Sequence, residues 1–270
     1  MIDEVSEKEL KLRAEEGLIE RDALLTGQLQ AEGLGNLLNI STGSDSEYPL
    51  KKELRNCEFR LPHEVQWAIG DITRETMNDG VEREVFIGFN SGKFTYSRVH
   101  LGTETGVGIR KKDLFPDDFD GTVIAAAHTH PIVLERPSLP SNPDICSFII
   151  DLRHVPVMVI SGEPSWILVK SEDYYQGEIP VNNDFLYKQF KKDLYNAERR
   201  FKRSNPHYYK LEEYESFLAS FLNNHGIVLF ACKEHVTGLG DGSARITDGV
   251  GNITFSAVEP KHEEIFRKVA

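Results

Sequence analysis

One apolar run in the sequence leads directly into a pair of histidines. Gly121 precedes the run Thr122–Ala127, and His128-Thr129-His130-Pro131 follows it without a break. A short apolar run that starts after a glycine is typical of a buried strand. We therefore predict a buried strand that carries both histidines at its end.

Residues two apart on a strand point to the same face and lie about 6.5 Å apart. His128 and His130 can therefore bind one ion while Thr129 faces away. Asp144, just downstream at a predicted helix start, can supply a third ligand. Two neutral imidazoles and one carboxylate leave the fourth tetrahedral position open for water, as in catalytic zinc sites, where the water ionises near neutral pH. The pattern thus predicts a zinc site with His128, His130 and Asp144 as ligands.

Each fragment also has a purely structural interpretation. A His-x-His pair at a strand end is often incidental, and Ser141-x-x-Asp144 before an apolar helical run is the pattern of a capping box. Two other groups could compete for a role: Glu135 as the carboxylate ligand, and Cys146 as a thiol nucleophile paired with one of the histidines. Cys146 lies within an apolar helical run, which indicates burial. The joint occurrence of the two motifs, in order, favours the metal site.

The surrounding sequence alternates between strand and helix patterns, which predicts the α/β (α+β) fold class. Apolar residues recur at helical spacing after Pro62 and stop at Asn78-Asp79-Gly80, so we predict a helix over residues 62–78. The other predicted elements are strands at 84–89 and 94–101 joined as a hairpin, a helix after Pro143, strands at 155–160 and 165–170, helices within 184–224, a strand at 226–232 and a hairpin within 245–258.

Residues 1–50 differ in character from the rest. Apolar residues at helical spacing predict a helical N-terminal extension, and the small, polar and acidic residues 40–48 are typical of a linker. We place a domain boundary near Lys51. One domain is then expected over residues 51–260, with residues 170–225 as a helical insertion within it.

The segment with His128-Thr-His130-Pro131 and Ser141-x-x-Asp144 resembles the signature of the JAMM (MPN) zinc metallopeptidase family. The resemblance covers residues 60–170 and extends toward 258. It implies a central mixed sheet flanked by helices and hydrolysis of peptide or isopeptide bonds, with ubiquitin or ubiquitin-like conjugates as substrates. Thirteen residues separate His130 from Asp144, more than the family's usual spacer. The longer loop bears on the substrate class more than on the chemistry.

The same resemblance implies the roles of the site residues. His128, His130 and Asp144 would bind zinc, and Ser141 would hydrogen-bond the oxyanion. Glu84 would take the proton from the zinc-bound water, although Gly88 follows it one position later than in the family pattern. Glu82 shares its face of the strand and is the alternative base.

Composition narrows the choice of partners and compartment. The formal charge of −12 disfavours nonspecific binding to nucleic acid or anionic lipid. Cys57, Cys146 and Cys232 form no CxxC pair, so neither a disulfide framework nor a four-cysteine zinc site is expected. We find no signal peptide and no apolar run of the roughly 18 residues that span a bilayer, and we expect a soluble, cytoplasmic protein.

Two alternatives to the peptidase remain open. One is a scaffold of the same fold that binds partners without catalysis. The other is a nucleic-acid-associated protein similar to the RadC-like branch, which would use the basic segment Lys188–Lys210 with its interleaved aromatic residues. A solvated amphipathic helix is the simpler interpretation of that segment.

Overall fold

The computed structural model describes eleven parts of the chain, and the predicted extension at residues 1–50 and Glu135 lie outside them. Within the described parts, no helix has the length and apolar character needed to cross a membrane. The described residues are 54, 58–90, 93–102, 122–131, 140–150, 157–160, 165–171, 174, 184–205, 210–232 and 254–260.

The centre of the fold is a nine-stranded mixed sheet with the order β1-β9-β8-β7-β6-β5-β2-β3, in which β4 also pairs with β2. The β5–β6 pair is parallel, and the other described pairs are antiparallel. The strands are β1 (Glu58–Arg60), β2 (Arg83–Asn90), β3 (Lys93–Tyr96), β4 (His100–Leu101), β5 (Thr122–Thr129), β6 (Val157–Ile160), β7 (Ser165–Lys170), β8 (Ile227–Cys232) and β9 (Thr254–Ala257).

Four helices of the described ranges flank this sheet: α1 (His63–Asp79), α2 (Asn142–Ile150), α3 (Asp184–Ser204) and α4 (Leu211–Asn223). Helix α1 ends where the sequence predicts, because Gly80 adopts φ 73° and its N–H bonds to the Thr76 carbonyl at 2.8 Å. Helix α2 lies between β5 and β6 and forms the crossover that a parallel pair requires. The predicted α/β class, a mixed sheet flanked by helices, is confirmed.

The two faces of the sheet are covered by different helices. Val85, Ala125 and Ala127 pack with Val65 and Ile69 of α1, and we call this side the α1 face. Alternate residues, among them Phe86, Ala126 and Val159, pack with buried residues of α2, α3 and α4 on the other side, which we call the α2–α4 face. Because both faces are covered, β5 is apolar along most of its length.

The predicted second strand of the hairpin is divided into two. Ser97 interrupts it: its N–H donates to the Phe86 carbonyl at 3.0 Å, and its Oγ accepts from the Phe86 N–H at 2.9 Å. Between the pairs Ile87–Tyr96 and Glu84–His100, β2 advances three residues while the edge strand advances four. The extra residue makes a bulge, and it places His100 on the same face as Glu84.

Candidate metal centre

The end of β5 presents both histidines to the α2–α4 face. His128 is the next-to-last residue of β5, and His130 follows the strand while its N–H donates to the Ile160 carbonyl at 2.8 Å. Their side chains are almost fully buried, with 9% and 7% of the side-chain surface exposed. The Nε2 atoms of the two rings lie 3.1 Å apart. The backbone of β5 thus brings two imidazoles to one point, as the spacing predicts.

Asp144 approaches the histidines from the first turn of α2. Its Oδ1 lies 3.3 Å from Nε2 of His128, and its Oδ2 lies 3.3 Å from Nε2 of His130. Within the described residues these three side chains are the group of histidine, cysteine and acidic residues that could hold a metal ion, and their ligand atoms all lie within 4.8 Å of one another. The structure therefore brings together the three residues that the sequence predicts as ligands, in a group that could bind a metal ion.

The donor set and its spacing fit a four-coordinate ion. Bonds of 2.0–2.1 Å in a tetrahedral zinc site place neighbouring ligand atoms about 3.3 Å apart. The separations here, 3.1 Å between the rings and 3.3 Å from each ring to the carboxylate, are close to that edge length. His128 and His130 approach different oxygens of Asp144, so a small rotation of the carboxylate would bring one oxygen to the ion.

Ser141 and Asp144 also form the predicted capping box of α2. The Asp144 N–H donates to Oγ of Ser141 at 3.3 Å, and the Ser141 N–H donates to Oδ2 of Asp144 at 2.6 Å. The structural and the metal-binding interpretations of this motif are therefore compatible. Because a serine hydroxyl can accept one bond and donate another, Ser141 keeps a proton to donate beside the site.

Burial and neighbouring charges shift the pKa values of His128 and Asp144 in opposite directions. Burial alone would lower the pKa of His128, but the hydrogen bond and charge of Asp144, with Glu84 and Glu82, raise it above its ordinary value. Burial alone would raise the pKa of Asp144, but its bonds to His128 and His130 lower it far below its ordinary value. The carboxylate is thus ionised at neutral pH and ready to neutralise a cation.

Two glutamates near the start of β2 flank the histidines: Glu84 lies within the strand and Glu82 lies just before it. Glu84 lies directly opposite His128 in the antiparallel β2–β5 register, and opposite residues share a face with Cβ atoms about 5 Å apart. Glu82 lies two residues before Glu84, close enough for its charge to act on His128. Glu82 is 8% exposed and Glu84 is partly exposed. Both predicted candidates for the base therefore lie beside the ligands.

His100 is a further neighbour that the sequence did not reveal. Glu84 pairs with His100 on one side and with His128 on the other, so the three form a row on one face. The His100 ring packs edge-on against Phe86, with 5.9 Å between ring centroids. Its Nε2 is buried, without a hydrogen-bond partner among the described residues. A two-residue strand after a bulge has no periodicity from which this position could be predicted.

Thr129 faces away from the histidines, as predicted. Its hydroxyl lies 2.6 Å from that of Thr76 in α1, and its Oγ1 accepts from the Arg83 N–H at 3.1 Å. Arg83 itself pairs with Glu75 and Asp79 of α1. These contacts join β5, β2 and α1 on the side of the sheet opposite the candidate metal centre.

Cys146 is buried in α2, and burial raises the pKa of its thiol despite the nearby charge of Lys191. A raised pKa reduces the thiolate form that a nucleophile requires. The thiol is thus poorly suited to the alternative catalytic role.

No protein-family model, curated protein or solved structure matches the chain. The resemblance to the JAMM family therefore depends on the residues of this site and on the order of the elements that carry them.

Proposed function

We propose that this protein is a zinc-dependent peptidase or isopeptidase of the JAMM type, with His128, His130 and Asp144 holding the ion. The observation that supports it is the convergence of these three side chains directly beside Glu84. Two neutral nitrogens and one carboxylate oxygen suit zinc, and three protein ligands leave one position for water. A zinc ion bound there supplies the positive charge that makes a water molecule acidic near neutral pH.

The chain's own groups then have defined tasks. Glu84, opposite His128, accepts the proton of the attacking water and returns it to the departing amine. Ser141 donates its hydroxyl proton to the oxygen of the substrate carbonyl as negative charge develops there. Asp144 would bind the ion from the first turn of α2. We propose ubiquitin or a ubiquitin-like conjugate as the substrate, following the resemblance.

The test compares two glutamate variants on a panel of ubiquitin-like fusions and linked dimers. Wild type should cleave at least one member. Glu84→Gln should bind zinc as wild type does and lose turnover by about 100-fold or more, the usual effect of removing a general base. Glu82→Gln, a matched change on the same face, should remain active.

Other outcomes separate the alternatives. If Glu84→Gln cleaves as wild type does and Glu82→Gln loses cleavage, Glu82 is the general base instead of Glu84. A zinc-loaded wild type that cleaves no member would favour the scaffold. Salt-sensitive binding of DNA that depends on the cations of α3 would favour the nucleic-acid-associated alternative.

A further inference from the structure

Glu198 of α3 is a partly buried acidic residue outside the proposed catalytic set, and it contacts the helix that carries Asp144. Its Oε2 accepts a hydrogen bond of 2.6 Å from Nδ2 of Asn142. Its Oε1 accepts from the Tyr214 hydroxyl at 3.0 Å and pairs with Nζ of Lys202 at 2.7 Å. The side chain of Glu198 is 18% exposed. One carboxylate thus joins α2, α3 and α4.

The charge of this carboxylate is maintained by its partners. Burial alone would raise the pKa of Glu198, but the bonds from Lys202 and Asn142 and the charge of Lys202 lower it. Glu198 is therefore ionised at neutral pH. A bond from a neutral amide to an ionised carboxylate is stronger than one between two neutral groups.

The contact with Asn142 lies at the end of α2 that carries Asp144. Asn142 is the first residue of the helix, directly after Ser141 and two residues before Asp144. The far end of α2 is held separately, because the Ile149 carbonyl accepts from the Tyr174 hydroxyl at 2.9 Å and lies 3.4 Å from Nζ of Lys170. Glu198 thus contacts the opposite end of α2, where Asp144 lies.

Small displacements matter at this end. Metal–ligand bonds tolerate deviations of only about 0.2 Å, whereas one residue of helix rise is about 1.5 Å. The apolar side chains of α2, including Ile145 and Phe148, bury the helix against the sheet. Apolar packing is non-directional. It therefore resists movement of α2 away from the sheet more strongly than it resists sliding of α2 along its own axis. The directional hydrogen bond from Asn142 to Glu198 opposes this sliding.

We propose that Glu198 is a positioning residue for the metal centre, which holds Asn142 and thereby sets the place of Asp144 relative to His128 and His130. The inference rests on the proposed metal centre. It links α3 to the metal centre, although α3 carries none of the three candidate metal ligands. Glu198 is not one of the three residues that could hold the ion.

The experiment measures zinc affinity by competition with a chelator, together with the visible absorption of the Co²⁺-substituted protein. Asn142→Asp places two carboxylates against each other and should weaken zinc binding by about tenfold, within the range for groups behind a metal ligand. Asn142→Asp combined with Glu198→Gln exchanges donor and acceptor, and should recover most of the affinity and the wild-type cobalt spectrum.

The matched control is Glu215→Gln in α4. Glu215 is a buried glutamate whose Oε1 accepts a hydrogen bond of 2.8 Å from Nε1 of Trp166 in β7. This variant should lose stability without losing zinc affinity. If Asn142→Asp does not fold, Asn142→Ala replaces it in the comparison with the control.

The outcomes separate this inference from the proposed function. A folded wild type without zinc affinity would overturn the metal centre and the positioning role together. Three results would overturn the positioning role and leave the metal centre standing. They are wild-type zinc affinity in Asn142→Asp, a loss of zinc affinity in Glu215→Gln equal to that in Asn142→Asp, and no recovery of zinc affinity in the double variant.

Discussion

Asp144 combines two tasks in one carboxylate. It caps its own helix by accepting the Ser141 N–H at 2.6 Å, and it faces both histidines at 3.3 Å. A cap contributes about 1 kcal/mol to stability, and it also restrains the side chain in the orientation that the metal centre needs. The pattern Ser-x-x-Asp is therefore compatible with both a capping box and a ligand at this position.

The opposed pKa shifts of His128 and Asp144 predict how the metal-free protein responds to pH. Asp144 has a lowered pKa, so its contribution to stability is present above the ordinary value of 3.8 and is lost in acid. His128 has a raised pKa, so its contribution is full below the ordinary value of 6.5 and is lost as pH rises through the higher folded value. The pair should therefore stabilise the metal-free protein most between these two values.

Urea unfolding at pH 5.5 and pH 8, with and without zinc, measures this effect. Zinc should remove the loss at the higher pH, because the metal requires neutral histidines. Asp144→Asn serves as the control, since it keeps an oxygen for the cap but no charge, and the fall at pH 8 should disappear. A metal-free wild type whose free energy of unfolding rises from pH 5.5 to pH 8 relative to Asp144→Asn would contradict this account.

At the scale of elements, β5 separates two functions by its alternation. His128 faces the candidate metal centre, whereas Thr129 bonds with Thr76 and Arg83 beneath the sheet. Contacts on the α1 face therefore hold the end of β5, whose histidines lie on the α2–α4 face.

Thr129→Val tests this separation. The change removes a buried hydroxyl and leaves the Arg83 N–H without that acceptor, so it should lower the free energy of unfolding by about 1–3 kcal/mol. The number of zinc ions bound should not change. Urea unfolding and zinc titration measure the two effects.

Thr73→Val is the matched control within α1. The Thr73 hydroxyl donates to the Ile69 carbonyl of its own helix at 2.7 Å, a local bond that adds little to the stability of a helix. Its effect should be smaller than that of Thr129→Val. Loss of zinc binding in Thr129→Val, without unfolding, would show that β5 does not divide the two functions in this way.

The sequence predicted most elements near the site because each has a local pattern. The α1 stop at Asn78-Asp79-Gly80, the apolar run of β5 and the cap of α2 are all short-range features. The three-residue β1 was missed, because so short a strand has no measurable alternation. The break between β3 and β4 was missed because it depends on the bonds between Ser97 and Phe86.

The candidate site was predictable to a similar extent. The alternation of β5 indicated His128 and His130, and the motif indicated Asp144. The bond between Asn142 and Glu198 joins residues 56 apart in the chain, and no spacing rule connects them. His100 reaches the row beside Glu84 through a bulge. These positions follow from tertiary packing, which a single sequence does not encode locally.

At the scale of the whole molecule, charge is distributed unevenly. The chain has a net charge of −12, yet α3 is an amphipathic helix with a basic outer side and Phe190, Leu194 and Phe201 buried inside. This agrees with the predicted solvated helix, while Glu198 provides its link to α2. Seven exposed basic residues form the outer side: Lys188, Lys191, Lys192, Arg199, Arg200, Lys202 and Arg203.

The most direct test of the central claim is the zinc content of the purified chain, measured by native mass spectrometry beside Thr129→Val and His128→Ala. We predict one tightly bound zinc per chain in wild type and Thr129→Val, and none in His128→Ala. Zinc at 100 times its dissociation constant should also stabilise wild type by about 2.7 kcal/mol. A folded wild type that binds no zinc, or a His128→Ala variant that binds it equally well, would contradict the account.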